Sequence, residues 1–144
     1  MLHYARKGFA FHPLPHGEFF DKVSTDLLGR KIFWRHSHID LVVGAIPEKR
    51  ILAVDPHYYQ SNRAGIDRMV TAVRSKLVLV PEQEAERHPA CFLPLGGGKV
   101  LVDSGAPKFI AELRKAGAKV IPTAVPLDHL MELKGGLHCL FNEE

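Results

Sequence analysis

Thiols are scarce in this chain: of its 144 residues, only Cys91 and Cys139 are cysteine. That excludes a disulfide-built scaffold, and their wide separation excludes a CxxC metal knuckle. Both are expected to be reduced. Long apolar runs are missing too. None approaches the roughly 20 residues needed to cross a bilayer, and the opening MLHYARKGFAFHPLPHG lacks the apolar centre of a secretory signal. The expectation is a soluble, cytoplasmic protein. A charge block of one sign is also lacking. The 19 basic and 16 acidic residues give a net +3 and are spread along the chain, without the basic run of a nucleic-acid-binding arm. Neither nucleic acid nor a membrane is an expected partner. What is present, 46% hydrophobic and 24% charged residues, is the balance of one ordinary globular domain.

The most informative feature is a repeated order of elements. From His38, HIDLVVGAIP and RILAVDP are two β-rich runs with Pro-Glu-Lys between them, and they predict a hairpin. YYQSNRAGIDRMVTAV then sets Ile66, Met69, Val70 and Val73 at helical spacing, and KLVLVP returns as a buried strand. The same order follows at once. CFLPL, a turn at Gly96 to Gly98, KVLVDSG, the helix PKFIAELRKAG and KVIPT predict a second ββαβ unit with a period of about 49 residues. In that helix Phe109, Ile110 and Leu113 point inward, with Pro107 early and Gly117 at the end. Partial units flank the pair: GFAFHP, GEFFDKVSTDLLG and KIFW before it, and HCLFN after it. The expected organisation is a single domain over 1–144, in which 1–35 ends one unit, 36–81 and 90–123 are complete units, and 135–144 is a closing strand.

The repeat locates the polar residues. His38 and Cys139 fall at the start of a unit's first strand, about 100 residues apart. Units set around one axis bring such positions together, and Asp40, two residues after His38, shares its face if the segment is a strand. A thiol, an imidazole and a carboxylate converging on one cavity is an arrangement for nucleophilic catalysis with a positioned acid/base. Each residue also has a plain reading: Cys is often buried core, His38 a strand-end histidine, and Asp40 a partner for an Arg. Cys91 is expected to be structural, and Gly96 to Gly98 a hairpin turn, since no helix and no Lys-Ser/Thr follows them.

The HID that opens the first hairpin, the VLVDSGAPKFIAELRKAGAKVIP segment and the terminal KGGLHCL together resemble the C-terminal half of the guanidino-group-modifying enzymes. These are the arginine deiminases, dimethylarginine dimethylaminohydrolases, agmatine deiminases and amidinotransferases, which share the pentein fold. The resemblance covers about residues 31 to 142. It implies an α/β propeller of ββαβ units, here an incomplete set of about two to three. It also implies a covalent reaction on a guanidinium of arginine or a derivative. By that likeness Cys139 attacks the guanidinium carbon to give a thiouronium enzyme, while His38 protonates the leaving amine and then activates water or an acceptor amine. Asp40 holds the guanidinium nitrogens, and Gly135 and Gly136 let substrate approach the sulfur. Neither cofactor nor metal is implied. The family's further carboxylate, in a Glu-Gly-Gly type motif, has no counterpart here, and Phe141 stands where Thr or Ser is common. A second copy or a complementary subunit is therefore expected to complete the cavity.

Two rival readings stand beside this one. HSHID sets His36, His38 and Asp40 at alternating positions, a zinc-ligand spacing of some metal-dependent hydrolases, although Leu41 follows where a further His is usual. Alternatively, the chain is a non-catalytic or partner-dependent module that keeps the repeat without the chemistry.

Overall fold

A computed structural model describes residues 39–132 and 135–140. His36, His38, Phe141 and the elements expected before the first unit lie outside the described residues.

The repeat is visible as topology. Strands β1 (Val43–Ile46) and β2 (Ile51–Val54) pair antiparallel around a Pro47–Lys49 turn, which Arg50 closes in the left-handed region. Helix α1 (Pro56–Ala72) crosses over, and β3 (Lys76–Leu79) returns parallel to β2. Then β4 (Leu93–Gly96) and β5 (Lys99–Val102) form a second antiparallel hairpin, α2 (Pro107–Ala116) crosses over, and β6 (Lys119–Pro122) runs parallel to β5. The strand orders are β1-β2-β3 and β4-β5-β6, so the described chain is α/β with two small mixed sheets, each a ββαβ unit. Gly96, Gly97 and Gly98 have φ of 77°, 61° and 72°, which glycine adopts without steric cost. They make the expected turn.

Local chemistry explains the helix starts. Asp55 accepts hydrogen bonds from the amides of His57 and Tyr58 at 2.9 and 3.0 Å, capping α1 just before Pro56. α1 is kinked at Asn62 (φ −126°, ψ 20°), whose amide nitrogen donates back to the Tyr58 carbonyl. Ile66 is buried as expected and Met69 and Val70 partly so, whereas Val73 lies past the helix end and is exposed. For α2, Phe109, Ile110 and Leu113 are buried and Gly117 closes the helix at φ 110°, all as expected. Its N-cap residue, Ala106, has no capping side chain. Buried Glu84 replaces it from the 3₁₀ segment Glu82–Arg87 before β4, accepting from the Lys108 and Phe109 amides at 2.9 and 2.8 Å.

β2 is buried on both faces, and its alternation divides the core. Ile51 and Ala53 join Val100, Val102, Phe109, Ile110 and Leu113 in a cluster that ties the two units together through α2. Leu52 and Val54 turn the other way, toward Tyr58, Ile66, Leu41, Val42 and Cys91. Burying side chains such as Phe109 and Leu113 contributes roughly 2 kcal/mol each.

Three expectations are corrected. Ile39–Leu41 is a 3₁₀ turn closed by the Val42 amide on the Ile39 carbonyl, and the strand starts only at Val43. Asp40 therefore lies on a turn, whose successive residues rotate by about 120°, and not on a strand; its relation to His38 lies outside the described residues. His138–Leu140 is likewise a 3₁₀ turn and not a strand. Finally, only Val78 of β3 is buried, and Leu79 is exposed, because β3 has a neighbour on one side only among the described residues.

Candidate functional site around Cys139

The segment after α3 (Asp128–Glu132) folds back over the start of the second unit. The Gly135 amide donates to the Leu130 carbonyl at 3.0 Å, and the His138 amide to the Cys91 carbonyl at 3.1 Å. Gly136 lies flat on Cys91: a β-carbon there would stand 2.4 Å from the Cys91 β-carbon and 2.8 Å from its sulfur. This docking leaves Cys139 exposed and sets its sulfur 3.6 Å from that of buried Cys91. No disulfide joins them.

A hydrogen-bonding pattern recurs at this place in each repeat. The amides of Val42, Cys91 and Cys139 each bond the carbonyl three residues earlier, on Ile39, His88 and Gly136. Cys91 and Cys139 are 48 residues apart, close to the expected period. Cys139 thus repeats, one unit later, the short turn that precedes β1 and β4.

Beside it is an ion-pair network. Asp103 follows β5 as Asp55 follows β2, and it is buried. One of its oxygens accepts from the Gly105 and Leu127 amides at 2.9 and 3.0 Å, and the other accepts from Arg87 Nε at 2.9 Å. Arg87 also reaches Asp128 at 2.8 Å. Burial of Arg87 opposes its charge, but the hydrogen bonds to Asp128 and Asp103 outweigh that and hold its pKa above the usual guanidinium value. This network fixes the loops around the cysteines. Both of its carboxylates are taken up by Arg87.

The void enclosed by Arg87, His88, Cys91, Asp103, Leu130 and Gly136 measures about 10 Å³, room for at most one water. It does not hold a substrate. A larger recess of about 310 Å³ lies between β3 and α2, lined by Lys76, Leu79, Glu112 and Lys115 among others, and includes none of the candidate residues.

Of the residues singled out in the sequence, the structure brings Cys139, Gly135 and Gly136 together. It adds Cys91, which is buried core as expected and whose sulfur also approaches that of Cys139. Gly135 leaves its Cβ direction open except for Cys139 at 3.9 Å, while Gly136 packs on Cys91 and so faces protein. Neither glycine has the positive φ of a tight turn. His38 lies outside the described residues, so its approach to Cys139 does too, as does the zinc set with His36. Among the described residues no group of three or more His, Cys, Asp and Glu is placed to hold a metal ion, and no helix is long and apolar enough to cross a membrane.

No protein-family profile matches the chain, and no curated protein is similar to it. Solved structures are similar. The N-terminal domain of ArgZ with bound product, an arginine dihydrolase of the ornithine-ammonia cycle in cyanobacteria, superposes with a TM-score of 0.58 at 20% identity, over 83% of this chain and 44% of that one. A cysteine-to-serine mutant of the same domain, bound to substrate, gives 0.58 at 19% identity over 85% and 45%. Apo ArgZ gives 0.56 at 23% identity over 76% and 16%. The chain therefore shares its fold with part of ArgZ and spans less than half of that N-terminal domain.

Proposed function

We propose that this chain is part of a guanidino-group-modifying enzyme that acts on arginine or an arginine derivative through a thiouronium on Cys139. The observation that carries the reading is the placement of Cys139. It is an exposed thiol on a turn that repeats, one unit later, the turns preceding β1 and β4, in a chain whose fold is like that of an arginine dihydrolase. One ArgZ domain structure has a reaction intermediate covalently bound, which supports the same kind of step here.

The chemistry follows from the residue types. A thiolate is the nucleophile that a resonance-stabilised guanidinium carbon requires, and a cationic substrate favours the thiolate. His38 supplies the proton to the departing amine and takes one from water or an acceptor amine. Asp40 accepts hydrogen bonds from the guanidinium nitrogens. The cavity is completed by a second copy or a complementary subunit, in a propeller of ββαβ units.

The test uses a haloacetamidine, which mimics the guanidinium, followed by mass mapping of the labelled residue. Cys139 is expected to react faster than Cys91, and Cys139→Ala to abolish labelling together with release of ammonia, citrulline or ornithine from arginine-like substrates. Equal labelling of the two cysteines sinks the nucleophile. Selective labelling without turnover by any assembly favours the binding-module reading.

A further inference from the structure

We propose that Cys91 is a resolving thiol for Cys139, and that the two form a reversible disulfide when a hydroperoxide oxidises Cys139. Three observations carry this. The sulfurs are 3.6 Å apart. Only Cys139 is exposed, Cys91 being 2% accessible within the core, so a dissolved oxidant meets the two thiols in a fixed order. And Gly136 carries no side chain where it covers Cys91, so the segment that bears Cys139 lies directly on the buried thiol.

In the first step the Cys139 thiolate attacks the hydroperoxide. The O–O bond breaks, an alcohol leaves (water, if the oxidant is hydrogen peroxide), and Cys139 becomes a sulfenic acid. The Cys91 sulfur then attacks the Cys139 sulfur. The S–O bond breaks, and hydroxide departs as water with the Cys91 proton. Two thiols are oxidised and one peroxide is reduced. Bond formation needs the sulfurs to close from 3.6 Å to about 2.05 Å. Cys139 is the side that moves, because it sits on a single exposed 3₁₀ turn while Cys91 belongs to the buried cluster that includes Val54, Tyr58 and Ile66. A small dithiol reverses the bond by exchange. The pair protects Cys139 from irreversible oxidation, and the loss of activity that accompanies it rests on the proposed role of Cys139 as nucleophile.

The experiment treats the full chain with hydrogen peroxide and reads intact mass and peptide maps. Wild type is expected to lose about 2 Da through an intrachain Cys91–Cys139 link, reversed by dithiothreitol. Cys91→Ala, with Cys91→Ser as a second variant should the first fail to fold, is expected to retain a Cys139 sulfenic acid trappable by dimedone and to over-oxidise. Over-oxidation of wild type at the same rate as the variants overturns the proposal, as does a disulfide that forms only between two chains. Haloacetamidine labelling of the reduced protein tests the nucleophile separately: an intrachain disulfide without selective labelling keeps the redox pair and removes the enzymatic reading.

Discussion

A methyl group at position 136 has no room. Its β-carbon would stand 2.4 Å from that of Cys91, and overpacking of this kind costs about 1 to 3 kcal/mol where the neighbour is held in a core. Gly136→Ala is therefore expected to lower the urea midpoint or to lift the terminal segment off Cys91. Gly135→Ala, which meets only Cys139 at 3.9 Å, serves as the mild comparison. Equal effects of the two substitutions would contradict the packing. Tyr58 gives a prediction in pH. Burial pushes its phenol from the usual 10.0 up to about 12. The fold favours the neutral form, so this contribution is fully present below pH 10 and is lost as pH rises from there toward about 12, at up to ~1.4 kcal/mol per pH unit. Unfolding free energy measured across that window is expected to fall more steeply for wild type than for Tyr58→Phe. Parallel curves would refute the assignment.

At the scale of elements, the two crossover helices start by different means. α1 takes its cap from the residue before it, Asp55, so Asp55→Ala is expected to cost about 1 kcal/mol, read as a drop in thermal or urea midpoint. No change would mean that the His57 and Tyr58 amides find other acceptors. α2 takes its cap from Glu84, some two dozen residues upstream, which no local rule anticipates. The element order ββαβ, twice, was legible in the sequence because hydrophobic periodicity and turn residues act locally. The two segments expected as strand starts, around Asp40 and Cys139, were misread for the same local reason. A few apolar residues in a row suit a strand or a 3₁₀ turn equally, and hydrogen bonds to neighbouring segments decide which forms.

For the whole molecule, each sheet ends in strands that have one neighbour among the described residues. Leu79 on β3 and Ile121 on β6 are exposed there. Open edges with apolar side chains favour association. The solution mass, measured by light scattering over a range of concentration, is expected to exceed that of one chain, or to do so once a complementary subunit is added. A concentration-independent monomer that is nonetheless active would remove the need for a partner.

The sequence by itself determined the order of elements, the inward faces of the helices, the glycine turn and the repeat that singled out Cys139, since these depend on periodicity and on what individual residues can adopt. Tertiary structure alone decided that Cys91 lies beneath Cys139, that Glu84 caps α2, and that Arg87 joins Asp103 to Asp128. Those contacts span 16 to 48 residues, and separations of that size leave no local pattern in the chain.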